Sequence, residues 1–161
     1  MKAVLQVVEN CSLFIDDNTT PYSHIDKGVM ILLGVSVNDT ENDVVKLSRK
    51  IAGLRIFHDK NDKMNLSCVD SDVNGKFMVV SQFTLYADST HGRRPDMFQA
   101  ARPELAIPLY EKFVELLNNE CRHLTGSQNN YVVTGKFGAH MRVSFTNVGP
   151  MTFIIESDEL K

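Results

Sequence analysis

The sequence predicts an α+β fold: mostly antiparallel, curved sheets in a barrel-like core with two helical segments, forming one domain over residues 1–161. Three observations predict it. Strand-like apolar runs crowd both ends of the chain, two stretches of helical periodicity lie between them, and no repeat, linker or low-complexity segment interrupts the sequence. The 43% hydrophobic and 23% charged residues are those of an ordinary globular protein, in a chain long enough to bury a core unaided.

Taken in order, Ala3–Val8, Cys11–Ile15 and Val29–Val37 are apolar runs separated by turn-formers such as Asp16-Asp17-Asn18 and Lys27-Gly28. Val44, Leu47, Ile51 and Leu54 then recur at spacings of 3, 4 and 3, a helical stripe, with Asn38, Asp39 and Thr40 offering an N-cap. Arg55–Phe57 and Met64–Leu66 read as short extended pieces around a polar turn, His58 to Lys63. Lys76–Leu85 is the strongest strand signal, followed by a loop from Ala87 to Arg94. Pro95 and Pro103 are candidate helix-start prolines, and Leu105, Leu109, Phe113, Leu116 and Leu117 form an apolar face. Pro108 within that face predicts a kink or a late start, and residues 121–130 read as a loop. Tyr131–Thr134, Ala139–Thr146 and Met151–Glu156 close the chain as strands.

Charge and motif content exclude several classes. A net charge of −3 argues against a protein that coats nucleic acid nonspecifically, but leaves room for a local patch. The basic residues are uneven: His91, Arg93, Arg94 and Arg102 form one group, and Lys136, His140 and Arg142 another. These are either solvated loop charges or a phosphate-facing rim. No apolar run reaches the roughly 18 residues of a membrane span, and the N-terminus reads as a strand rather than a signal peptide, so a cytoplasmic protein is expected. Cys11, Cys68 and Cys121 form no CxxC and are expected as buried thiols. Asp70-x-Asp72-x-Asn74-Gly75 copies half a calcium loop, but Ser81 stands where a bidentate Glu is needed, so a hairpin turn is expected instead. Thr134-Gly135-Lys136 lacks the upstream glycine of a phosphate loop, and no metal-ligand spacing or G-x-S-x-G elbow is present. Neither a metal nor a cofactor is expected.

Two segments remain. Ser81-Gln82-Phe83-Thr84-Leu85 ends an apolar strand in a sudden polar cluster, and Asn147-Val148-Gly149-Pro150-Met151-Thr152 places Gly-Pro between two strand-like runs. On spacing alone Thr84 is a core hydroxyl and Gly149-Pro150 a sharp turn. The alternative is that the first segment lines a pocket with its backbone N–H groups aimed at a carbonyl under attack. No base lies near it in sequence, which suits attack by water better than a Ser or Thr nucleophile. Upstream, Gly135, Gly138 and Ala139 surround Phe137 and would permit close approach of a ligand, with the ring as its platform.

Together with AVLQVV, LLGVSVNDT, LRIFHDKNDKMNLS, VVSQFTLYAD, PDMFQAARPELAIPLYEKF, VVTGKFGAHMRVSFTNVGPMT and FIIES, these segments make the chain closely resemble the D-aminoacyl-tRNA deacylases, almost end to end. The resemblance implies a cytosolic homodimer that hydrolyses the ester joining a D-amino acid, or glycine, to the 3′-terminal adenosine of tRNA, without a cofactor. It implies that Ser81, Gln82, Phe83 and Thr84 line the pocket and that the N–H groups of Phe83 and Thr84 bind the ester carbonyl. Gly149-Pro150 would correspond to a cis Gly-Pro inserted into the other subunit's site, where its carbonyls hold the substrate amino group and exclude an L side chain. Phe137, Gly138, Ala139 and Met141 match the stretch facing the adenosine and the chiral pocket. Val148 stands where the family often has Asp. Two further readings are an esterase with Thr84 as nucleophile, and a noncatalytic nucleic-acid or nucleotide-binding accessory protein.

Overall fold

The computed structural model describes residues 1–161. Seven strands and two helices follow one another as β1 (Lys2–Ile15), β2 (Ser23–Gly34), α1 (Glu41–Ala52), β3 (Arg55–His58), β4 (Met64–Ser67), β5 (Lys76–Ser81), α2 (Pro103–Thr125), β6 (Val132–Thr134) and β7 (Met141–Glu156). The main sheet has the order β6-β5-β2-β1-β7, and β3 and β4 form a small second sheet. The expected α+β class is what forms. Three strand pairs are antiparallel (β1–β2, β1–β7, β3–β4), and β2–β5 and β5–β6 are parallel. The main sheet is open, with β6 and β7 at its edges, rather than a closed barrel.

Local chemistry explains the helices. In α1, Val44, Leu47 and Ile51 are buried, and the Asp43 carboxylate accepts hydrogen bonds from the Thr40 N–H (2.9 Å) and hydroxyl (2.8 Å) at the N-terminus. Helix α2 starts at Pro103, not at Pro95, and buries Leu109, Phe113, Leu117 and Cys121 on one side. It continues through Pro108, whose missing N–H would have met Glu104, and both residues are exposed, so water serves the orphaned carbonyl. The helix also takes in residues 121–125, expected as loop, and ends on Gly126 with a left-handed φ of 66°.

Four strand expectations are corrected. Ala3–Val8 and Cys11–Ile15 are parts of one strand, β1, with a register shift around Asn10, whose φ is 50°. The strand expected at Val29–Val37 begins at Ser23 and ends at Gly34. The strand expected to reach Leu85 stops at Ser81, and Phe83–Tyr86 forms a 3₁₀ turn. Gly149-Pro150 does not separate two strands, because β7 runs through it along β1. The pairing passes from Val8↔Asn147 to Gln6↔Thr152, so Val148–Met151 bulge out opposite Val7 alone. A proline is tolerated there because β7 is an edge strand. The Gly149-Pro150 peptide bond is cis.

The Asp70–Gly75 segment is a turn but not a hairpin, since β4 and β5 belong to different sheets. All three cysteines are free and buried. Burial pushes the Cys11 thiol up to about 11 and the Cys121 thiol up to about 12, so both stay protonated. No helix is long and apolar enough to cross a membrane.

The core lies on both faces of the sheet. On β5, Phe77 and Val79 join the cluster beneath α1 and α2, while Met78 and Val80 join a second cluster with Val8, Cys11, Leu13 and Ile25. A strand with parallel neighbours on both sides and both faces buried reads as a continuous apolar run, as Phe77-Met78-Val79-Val80 does.

Candidate functional site

Parallel pairing determines where the site forms. Leu33 of β2 pairs with Ser81 of β5, and Val79 of β5 pairs with Thr134 of β6, so three strands end along one edge of the sheet. Their C-terminal extensions converge there, and α2 packs across them. The result is a cavity of about 600 Å³ lined by 20 residues, 14 of them hydrophobic. A crevice beyond the carboxyl ends of parallel strands is the usual ligand position in open sheets, and the volume suits a small organic group.

Ser81, Gln82, Phe83, Phe137, Gly138, Ala139 and Met141 all line this cavity. Thr84 does not. Its exposed hydroxyl accepts a hydrogen bond from the Gln82 side-chain amide. Gly149 and Pro150 also lie elsewhere in the chain, exposed, with Gly149 beside Ile56, Phe57 and His58. Alternation of side chains across a strand therefore fails to describe the 81–84 segment, because only Ser81 is in the strand.

The switch from strand to 3₁₀ turn has a chemical consequence. The Gln82 N–H makes the last ladder bond, to the Leu33 carbonyl (2.8 Å). After it, the N–H groups of Phe83 and Thr84 donate to no carbonyl, since the first amides of a 3₁₀ turn have no partner behind them. Gly34 permits this geometry. A Cβ there would come within 3.1 Å of both the Gln82 carbonyl and the Leu85 Cβ. Two consecutive N–H groups are thus left unpaired, one at Phe83 in the cavity lining and one at the next residue, and two adjacent free donors are the pattern of an oxyanion hole.

The Lys136–Ala139 turn adds Phe137, Gly138 and Ala139 to the lining. The Ala139 N–H donates to the Lys136 carbonyl (3.1 Å), and Gly138, at φ 73°, occupies the third position, where positive φ favours glycine. The turn presents Phe137, whose ring meets Tyr110 of α2 edge-on at 5.7 Å and 65°. Tyr110 in turn donates its hydroxyl to the Val79 carbonyl (2.8 Å), fastening α2 to the strand that carries the site. Burial raises the Tyr110 pKa well above that of a free phenol, so the hydroxyl remains a donor.

Met97, Arg102, Tyr110 and His140 line the cavity and were not among the expected pocket residues. The signal for Tyr110 was a lone phenol in the aliphatic stripe of α2; Met97 left none. The two basic groups are divided by the fold. Arg102 and His140 reach the cavity, whereas Arg142 is committed to the Asp16 and Asn18 carbonyls (3.0 and 2.9 Å). No carboxylate lines the cavity.

Comparison with known proteins shows the family. The sequence profile of the family described as D-Tyr-tRNA(Tyr) deacylase matches residues 4–156. The chain belongs to that family. It is 44% identical over 160 residues to the D-aminoacyl-tRNA deacylase of Thermosipho africanus, covering 99% of both chains. The D-aminoacyl-tRNA deacylase of Clostridioides difficile is 46% identical over 159 residues, again covering 99% of each. Among solved structures, a c-Myc DNA unwinding element binding protein superposes with a TM-score of 0.82 at 35% identity, over 97% of this chain and 98% of the other. A probable eukaryotic D-amino acid tRNA deacylase has the same fold, with a TM-score of 0.75 at 16% identity over 96% and 98%. The family member is an enzyme of the hydrolase class, as expected.

Proposed function

We propose that the protein hydrolyses the ester of D-aminoacyl-tRNA with water as nucleophile and main-chain groups as the principal catalysts. The observation that carries this reading is the pair of consecutive unpaired N–H groups at Phe83, which lines a mostly apolar cavity without a carboxylate, and at Thr84, the residue next to it. An aminoacyl ester is already activated, so a fixed oxyanion hole and a positioned water suffice. Water adds to the carbonyl carbon, and the developing oxyanion accepts hydrogen bonds from the two N–H groups. The bond to the ribose 3′ oxygen then breaks, that oxygen takes a proton, and the products are the free D-amino acid and the tRNA 3′-hydroxyl. The vicinal 2′-hydroxyl of the ribose orients the water, a task no residue of the Ser81–Leu85 segment performs.

Phe137, Gly138, Ala139 and Met141 hold the terminal adenosine and the substrate side chain in this scheme. Selection against L-aminoacyl-tRNA falls to Gly149 and Pro150 of a second subunit in a homodimer, whose carbonyls take the substrate amino group and occupy the space of an L side chain. Glycyl-tRNA lacks that side chain and is accepted. Support for the cross-subunit role comes from the exposure of Val148, Gly149 and Pro150 in the bulge, none of which lines the cavity of its own chain. The Thr84-nucleophile reading has no comparable support, because the Thr84 hydroxyl lies outside the cavity.

The test is ester loss from D-Tyr-tRNA and L-Tyr-tRNA incubated with purified protein. Loss of the D-ester alone is expected, and a rate equal to buffer for both esters refutes the reading.

A further inference from the structure

The segment between the 3₁₀ turn and α2 contributes Met97 and Ala100 to the cavity, yet Phe98 between them is 84% exposed, the most exposed large apolar side chain in the protein. The segment is nevertheless well held. Val37 N–H donates to the Gln99 carbonyl (3.1 Å), Ala101 N–H to the Val35 carbonyl (2.9 Å), and a bridge between Asp88 and Asp96 closes the loop before it. Phe98 is therefore presented outward by fixed backbone.

The charges around it are also unspent. Of the seven arginines, Arg49 pairs with Glu120, and Arg55, Arg122 and Arg142 donate to backbone carbonyls. The side chains of Arg93, Arg94 and Arg102, the three on this segment, make no ion pair or hydrogen bond within the chain. The acidic residues of the same loop are engaged by hydrogen bonds within the loop. Asp88 accepts from the Thr90 N–H (2.8 Å) and hydroxyl (2.7 Å), and Asp96 accepts from the Phe98 N–H (3.2 Å). An exposed aromatic ring flanked by free guanidinium groups, leading into a cavity, is the arrangement that binds single-stranded nucleic acid by stacking and phosphate contact.

We infer that residues 93–102 form a track for the unpaired 3′ strand of the RNA, with Phe98 stacking on a base upstream of the terminal adenosine and Arg93, Arg94 and Arg102 meeting its phosphates. The inference rests on the reading of the cavity given above. It assigns the track to substrate binding, so it acts on KM rather than on the chemical step.

The test compares two esters, D-Tyr-tRNA and 3′-O-D-tyrosyl-adenosine, which has no phosphate and no upstream base. Phe98→Ala is expected to raise KM for the tRNA ester about tenfold, with a clearly smaller effect on the adenosine ester, and Phe98→Trp to restore it. Arg93→Gln with Arg94→Gln is expected to flatten the log–log salt dependence for the tRNA ester by about 1.4, at ~0.7 per lost phosphate contact on a single strand. In parallel, the same variants should weaken binding of an uncharged, 5′-labelled RNA minihelix with an unpaired CCA end. Equal losses on both esters, or unchanged minihelix binding, overturn the inference. So does a change in oligomeric state of Phe98→Ala by light scattering, which makes Phe98 a subunit contact. If the wild-type protein cleaves neither ester, the reading of the cavity fails, and minihelix binding still decides the track.

Discussion

The Ser81–Leu85 segment and the Val148–Met151 bulge both leave strand geometry, and they do so to opposite effect. The first turns inward. Its strand has neighbours on both sides, its last ladder bond goes to Leu33, and the two N–H groups it releases sit at Phe83, in the lining of a cavity walled by its own chain, and at the next residue. The second turns outward from an edge strand, and its Gly149 and Pro150 are exposed and remote from that cavity. One segment is complete within a single chain, whereas the other gains a function only if something outside the chain receives it. In the proposed mechanism, main-chain groups act as a site where neighbouring strands fix them, and as a plug where they are left free.

The largest effect that would break this comparison comes from removing a single N–H. In Phe83→Pro, proline deletes a donor that makes no bond within the chain, follows a non-helical residue (Gln82, φ −144°, ψ 84°) and has a φ suited to a 3₁₀ turn. The fold should survive, and kcat on D-Tyr-tRNA should fall by about 10²–10³. A folded variant with wild-type kcat would remove the oxyanion hole from the account. The outward segment is tested next, by complementation. Phe83→Pro and a Gly149→Trp variant should each be inactive alone. Co-refolded in equal amounts, they should recover roughly a quarter of wild-type activity, because in a symmetric homodimer each mixed pair has one intact combination. Absence of recovery in verified mixed dimers would place Gly149 outside the partner's site.

Thr84→Ala separates main chain from side chain within the inward segment. The hydroxyl receives only the Gln82 amide, an interaction worth about 0.5–1.5 kcal/mol, so activity should fall by less than about tenfold. Near-complete loss in a folded dimer would instead favour a Thr84 nucleophile.

The same contrast marks what could be read from the sequence. The stripe Val44, Leu47 and Ile51 and the Thr40 cap were legible because a helix is specified by neighbours three and four residues apart. For Ser81 to Phe83 and for Phe137, Gly138 and Ala139, local composition offered a pocket only as an alternative to an ordinary strand end and turn, and the resemblance was needed to prefer it and to add Met141. The composition of a strand end does not reveal its surroundings. Phe83 and Leu85 prolonged an apolar alternation past the true strand end, because that end depends on Gly34 of a neighbouring strand. Likewise the Gly-Pro pair looked like a turn because the pairing of β7 with β1, which carries the strand through it, is not encoded in the dipeptide. Parallel pairing of β2, β5 and β6 left only the continuous apolar run Phe77–Val80, which does not say which strands pair, yet that pairing is what brings the site together.

Tyr110 supplies the smallest and most selective test. Its hydroxyl joins α2 to the Val79 carbonyl, two residues before the Ser81–Leu85 segment that carries the N–H pair. In Tyr110→Phe that bond is lost, which should lower stability by about 1 kcal/mol. The Val79 carbonyl keeps the Gly135 N–H at 3.3 Å, so the strand should stay in register and kcat should change little. The pH dependence carries a further signature. Burial raises the phenol's pKa in the folded state, so the folded protein holds this proton more tightly than the unfolded chain. Stability from this group is therefore fully present below the unfolded value near 10 and declines as pH rises above it. Tyr86, also raised by burial, adds to the same alkaline decline, so Tyr110→Phe should diminish the loss without abolishing it. Thermal melts of both proteins between pH 8 and roughly pH 11 measure the difference. Parallel curves would mean that Tyr110 ionises as freely in the folded protein as in the unfolded one, and the fastening of the site through α2 would have to be sought in packing alone.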